Sequence, residues 1–205
     1  MNYEILISFI GVSMLLTLMP GPDILYVLMQ SISNGKKHGI ITALGLVSGI
    51  IIHTSLVAFG VSALIKQSES LFFGLKVFGA LYLLFLAYKS ITEKEVIELE
   101  ANVSKINSWK LYKRGFIMNV INPKVSIFFL AFFPGFLYSS SQNTVIQFYV
   151  LGFIFMAQAL LIFSVVSIIS GQLSNYLKSH KTFPKNIKWF KVLIFVAIAF
   201  FILFS

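Results

Sequence analysis

The sequence predicts an all-α integral membrane protein: six transmembrane helices forming two inverted three-helix repeats, with the first and fourth helices broken. Three observations carry this expectation. Of 205 residues, 58% are hydrophobic and only 11% charged, with a mean hydropathy of +0.89, which leaves too little polar material to clothe a water-facing surface. Six apolar runs approach or exceed the roughly 20 residues that a helical crossing needs. Proline interrupts the first run of each three-run half at a corresponding place.

The runs fall in order at Ile5 to Ser33, Ile40 to Ile65, Leu71 to Tyr88, Gly115 to Tyr138, Val145 to Leu173 and Ile187 to Phe204. At about 1.5 Å per residue the first is too long for one straight crossing, so it must tilt, protrude or break. Met1 to Glu4 carries an acid and no Lys or Arg, and no small-residue cleavage site precedes Pro20, so the segment reads as a span and not as a secretory signal. The last run begins with Lys188 and Lys191, which are expected to snorkel to an interface beside Trp189. Lys76, near the start of the third run, is expected to do the same at the opposite surface.

With six spans, the first, third and fifth connections share one face. That face holds thirteen Lys and Arg residues, from Lys36 and Lys37 to Lys188 and Lys191, whereas the other holds only Lys66. The positive-inside rule then puts both termini outside. Because this asymmetry accounts for most of the net charge of +9, the charge gives no reason to expect a nucleic-acid partner.

The longest polar stretch, residues 92–114, separates a first half, 1–91, from a second half, 115–205. Its Thr92-Glu93-Lys94-Glu95 start fits a capping box for a short interfacial helix through Glu100, with a solvated tether as the alternative. Three spans per half oblige the second half to enter the membrane in the opposite sense.

Pro20-Gly21-Pro22-Asp23 interrupts the first span and Asn122-Pro123-Lys124 the fourth. Proline removes a backbone donor and clashes with the preceding turn, so each site should be unwound, with free carbonyl and amide groups. In hydrocarbon such groups survive only against protein or a watery cavity, and paired interruptions point to a midplane binding site. Asp23 and Lys124 lie deep in the same two spans, where each costs about 2.5 to 3.5 kcal/mol on an insertion scale. They are expected to share a cavity, pairing when it is empty and binding a zwitterion's ammonium and carboxylate when it is filled; a static salt bridge is the plainer alternative. Asn119 and Asn122 add neutral donors and acceptors, either for a ligand or for the broken backbone. His53 is a candidate proton relay, although a hydrogen bond to a neighbouring helix is the simpler account. Gly45 and Gly49 form a small-residue face suited to close helix packing.

No G-x-x-x-x-G-K-[ST], H-E-x-x-H or G-x-S-x-G sequence occurs, cysteine is absent, and His38 and His180 lie in basic loops. Nothing here suggests an enzyme, a metal site or a cofactor. The 16% aromatic content is expected mainly on lipid-facing surfaces, with Trp109 and Tyr112 near an interface.

These motifs resemble the LysE/RhtB family of amino-acid exporters. The resemblance rests on Pro20-Gly21-Pro22-Asp23, the Gly35-Lys36-Lys37-His38-Gly39 turn, Gly45 to Gly49 with His53, Lys76 to Leu83, the run Gly115 to Lys124, and Phe128 to Phe136 with Pro134. It implies a multi-pass protein of the bacterial inner membrane that moves amino acids or close derivatives outward, driven by the proton motive force. By that similarity Pro20, Gly21, Pro22 and Asp23 form one functional motif and Asn119, Asn122, Pro123 and Lys124 the other. The sequence departs from the family at Ile50, where an acid often stands. The rival readings are a small-ion exporter or channel, against which a fixed Lys124 cation argues, and a non-transporting membrane scaffold. The small six-span chain leaves little room for a large cavity, so a homodimer is the expected assembly.

The charge asymmetry is directly testable, because single cysteines placed in this cysteine-free chain can be labelled with an impermeant thiol reagent. In intact cells, positions in the Tyr138 to Thr144 connection should label and positions 36, 105 and 185 should not; labelling at position 105 would reverse the orientation.

Overall fold

The computed structural model describes residues 3–92, 107–172 and 183–204, the side chains of 65–67 and 183–187 excepted. Among these residues every regular element is helical. The first span is broken into α1 (Tyr3–Leu18) and α2 (Pro22–Asn34), which meet at 60°. Pro20 and Pro22 remove the amide donors on either side of an extended Gly21 (φ −150°, ψ −179°), and Pro22 then takes the first position of the new helix, where no donor is needed. α2 ends at Gly35, whose φ of +89° is the only positive value among the described residues. That conformation strains any residue with a Cβ, and it lets α3 (Lys36–Leu56) start at once.

α3 continues through a π-helical turn (Val57–Val61) into α4 (Ser62–Gln67). α5 (Glu69–Thr92) follows. The capping-box expectation lies outside the described residues except at Thr92, which is the last residue of α5 and donates its hydroxyl back to the Tyr88 and Lys89 carbonyls. α6 (Ser108–Val120) starts seven residues before the expected span, capped by the Asn107 side chain, which accepts from the Trp109 amide at 3.0 Å. After the second break come α7 (Pro123–Phe132), bent 52° from α6, and a 3₁₀ turn (Phe133–Phe136) at Pro134. α8 (Thr144–Ile168), capped by Asn143, and α9 (Phe183–Phe204) complete the set.

Among the described residues, Lys36–Leu64, Glu69–Thr92 and Thr144–Ile168 are long and apolar enough to cross a membrane, and counting each bent pair as one span gives up to five. α9, at the place of the sixth expected span, is 22 residues long and packs along α5. Large apolar side chains such as Phe59, Phe78, Leu81, Leu161 and Leu193 point outward, as a lipid solvent favours. This is a multi-pass membrane protein.

Two packing devices hold the helices together. On α3, Gly45 and Gly49 admit α6 at backbone distance: Gly45 lies against the Tyr112 carbonyl, Gly49 against the Asn119 side chain, and Gly115 returns the contact against Thr42. The other device corrects the expectation that aromatic residues are mainly lipid-facing. Phe128, Phe129, Phe132, Phe133 and Phe136 are buried along α7 and its 3₁₀ turn, where spacings of three and four residues put them in register. Phe129 stacks on Phe133 at 4.0 Å and Phe128 on Phe132 at 4.4 Å, with Phe9 of α1 edge-on to Phe133 at 5.2 Å and Phe155 of α8 edge-on to Phe129 at 5.1 Å. Trp109 does behave as expected of an interface residue, exposed and stacked on Tyr112 at 5.4 Å. Lys188 donates to the Ile91 carbonyl at the end of α5, but Lys191 is only 7% exposed and does not snorkel.

A methyl group at Gly45 would overlap the Tyr112 backbone, whereas one at Gly74 would meet nothing within 4 Å. Gly45→Ala should therefore lower stability in detergent by about 1–3 kcal/mol, the usual cost of overpacking, and Gly74→Ala should change it little. Thermal unfolding of the two purified variants measures the contrast.

Candidate functional site

The two broken spans meet. A small, partly open cavity of about 60 Å³ lies between them, lined by Gly21, Pro22, Asp23, Asn119, Asn122 and Lys124 from the breaks. Its other walls are Leu16, Thr17, Met19, Ile24, Ile50, Val125, Phe155, Ala159 and Phe163. The mix of a mainly apolar wall with a few polar groups is typical of small-molecule sites.

Asn122 joins the two breaks. Its Oδ1 accepts from the Lys124 backbone amide at 3.1 Å, capping α7, and its Nδ2 donates to the Asp23 carboxylate at 3.3 Å. The amide at Lys124 is thus already occupied, contrary to the sequence-based expectation of free amides at both breaks. α2 differs, because its cap residue is Gly21 and, among the described residues, no side chain caps its first turn. Pro22 and Pro123 hold the same position in their half-helices, so Asp23 and Lys124, the residues that follow, are structural counterparts of opposite charge. The Lys124 ammonium lies 3.5 Å from the Met19 sulfur and 5.3 Å from the centre of the Phe195 ring, and it acts electrostatically on the Asp23 carboxylate.

The remaining expected residues separate into two groups. Asn119 is buried at the cavity wall with its Oδ1 unpartnered among the described residues. Pro20 and Pro123 shape the breaks without lining the cavity. His53 stands behind the wall, its Nε2 3.0 Å from the Asn119 carbonyl oxygen, its Nδ1 3.4 Å from the Ser126 hydroxyl and its ring against Phe129. This geometry is a histidine bonded across to neighbouring helices. Among the described residues no group of three His, Cys, Asp or Glu side chains could hold a metal ion.

The sequence reading overlooked a polar contact at the α1–α8 seam. Gln158 donates through Nε2 to the Thr17 hydroxyl at 2.9 Å, and Thr17, which lines the cavity, donates to the Ser13 carbonyl at 2.8 Å. A glutamine midway along a strongly apolar span was the available signal, since such a residue must find a partner across a helix interface.

The sequence matches the family described as LysE type translocator over residues 14–205. It is 32% identical over 190 residues to the leucine efflux protein of Enterobacter sp. (strain 638), covering 90% of this chain and 88% of that one. It is 34% identical over 140 residues to the leucine efflux proteins of Salmonella choleraesuis and Salmonella typhi, covering 66% of this chain and 65% of each of those. No solved structure matches.

Removing the Asn122 side chain deletes a helix cap and the donor on a half-buried carboxylate together. Asn122→Ala should destabilise the protein by about 1–3 kcal/mol. Asn122→Ser, which keeps the cap but not the reach to Asp23, should recover part of that loss; equal unfolding temperatures for the two variants would show that capping contributes nothing.

Proposed function

The chain belongs to the LysE type translocator family, and from that premise we propose that it exports amino acids with apolar side chains, leucine among them, across the bacterial inner membrane. The observation that carries this reading is the convergence of two broken helices with Asp23 and Lys124 at equivalent positions around one largely apolar cavity. Such a site complements a zwitterion with a hydrocarbon side chain. Asp23 takes the ammonium, helped by the Asn119 Oδ1, while Lys124 and the uncapped amides at the start of α2 take the carboxylate. Ile24, Ile50, Val125 and Phe155 receive the side chain. The similarity to leucine efflux proteins supports the same choice.

In this reading residues 1–91 and 115–205 are inverted repeats, six spans in all, with 92–114 as the inner linker and both termini outside. The packing of α3 on α8 and of α5 on α9 supports it, since each is a contact between counterpart helices of the two halves. Export runs on the proton motive force, and His53, beside Ser126 and the α6 break, is the relay candidate. Two copies form the working unit within the lipid bilayer.

Cells expressing the chain and loaded with a leucine-containing dipeptide should retain less free leucine than cells without it. Collapsing the proton gradient should remove the difference. Asp23→Asn and Lys124→Gln should each abolish it while the protein remains in the membrane, and their effects on stability should couple by roughly 0.5–3 kcal/mol in a double-mutant cycle. Equal leucine retention with and without the chain would exclude leucine, and strict additivity would mean that the two charges do not interact.

A further inference from the structure

The Lys124 ammonium stands where the nearest backbone alone would not leave it. A methyl group built on Gly21 would lie 3.8 Å from its Nζ, so the cation rests beside the cap residue of α2. The first amides of a helix together carry roughly half a positive elementary charge. α2 runs for 13 residues, and among the described residues no side chain caps its first turn. Two positive groups therefore face each other at the first break. The Asp23 carboxylate attracts Lys124 electrostatically, but that attraction does not by itself fix the ammonium beside Gly21.

Two electron-rich groups hold it there. The Met19 sulfur, just past the end of α1, is 3.5 Å from Nζ, and the ammonium sits over the ring of Phe195, midway along α9, at 5.3 Å from its centre. A thioether sulfur is a polarizable weak acceptor and the face of an aromatic ring is negative, so each attracts a cation, and more strongly away from water. Phe195 is 4% exposed, on a helix packed against α5 and α7, so its ring is fixed by its surroundings. Neither group is charged, so neither competes for Lys124 as strongly as a carboxylate would. The ammonium is thereby presented to an anion at a place where the α2 amides can share it. None of the described residues lining the cavity belongs to α9, so its part in the site runs through Lys124.

We propose that Phe195 is a positioning residue, whose ring holds the Lys124 ammonium against the start of α2 and so completes a two-part seat for the carboxylate of the exported amino acid. This rests on the transport reading of the cavity. A lysine side chain is a flexible four-carbon stem. Without the ring, the like-charged helix end would push the ammonium away from Gly21 and toward the Asp23 carboxylate that attracts it. A carboxylate would then meet one positive group in place of two. The contribution of Phe195 is therefore electronic as well as steric, unlike that of the phenylalanines stacked on one another along α7.

The test changes the charge distribution of the ring and leaves its shape nearly intact. Phenylalanines with one, two and three ring fluorines are incorporated at position 195 of the full chain, and proton-driven leucine uptake is measured in everted membrane vesicles. Fluorine withdraws electron density from the ring face, so KM for leucine should rise stepwise, by about tenfold at three fluorines, while kcat and the amount of protein in the membrane stay within about twofold. The same series at Phe136, whose ring lies against Phe9, Phe132 and Phe201, should leave KM unchanged. A KM indifferent to fluorination at position 195 would overturn the proposal, and so would a falling KM, which would mean that the ring competes with the carboxylate for Lys124. Unfolding temperature supplies the second measurement. It should fall stepwise with fluorination in the native chain and stay level in Lys124→Gln, and an equal response in the two would reject the hold on Lys124. Vesicles that move no leucine with any ring remove the export reading, leaving the contact to be judged by that temperature series; normal uptake with a flat KM removes the role of Phe195 alone.

Discussion

Breaking a helix inside a bilayer leaves amide and carbonyl groups with no water to turn to, each costing several kcal/mol if nothing meets it. This chain breaks two helices and lets the debts meet at one residue. Asn122 accepts from the amide of its own half-helix and donates to the carboxylate of the other, so one planar amide group ties the two halves at their weakest points. Much else follows from that tie. Asp23 is held at the cavity wall, α7 leaves its cap at a fixed angle to α6, and the space between the breaks remains open.

α3 gives this arrangement its stem. Its glycines bring α6 to backbone contact, and at Gly49 the neighbour so admitted is the Asn119 side chain. A turn further along, His53 holds the Asn119 carbonyl and faces Ser126, so a single helix positions both sides of the second break. α7 then departs into the phenylalanine packing with α1, α8 and α9. The site thus sits between a tightly fitted glycine seam and a dense aromatic layer. A rigid surround of this kind makes two discrete arrangements of the halves more natural than a continuum.

Much of this was legible in the sequence for a physical reason: backbone chemistry leaves marks that composition cannot hide. Pro20, Pro22 and Pro123 have no amide hydrogen, and both breaks occur where they stand. Asp23 and Lys124 were conspicuous because charge is rare in a span. The misplaced expectations concern side chains whose direction depends on neighbours. Whether a phenylalanine faces lipid or protein is invisible in a uniformly apolar run, so the buried row from Phe128 to Phe136 was read as lipid-facing. Lys191 was expected to reach an interface and is buried. The Gln158 to Thr17 contact was written plainly as polar residues in apolar spans. Its importance depends on which helices lie opposite, and that is a property of the fold.

The one-residue turn at Gly35 has a mechanical consequence. It leaves no slack between α2 and α3, so α2 acts as a connecting rod, hinged on extended Gly21 at the cavity and pinned by Gly35 at the other end. With 13 residues, the rod is about 20 Å long, and a swing of 10° about one pivot carries the far end by about 3 Å. Rocking of α3 that tilts the rod about its Gly35 end therefore reappears at the cavity as displacement of Asp23. A longer, softer connection would absorb that stroke, whereas a single glycine passes it on.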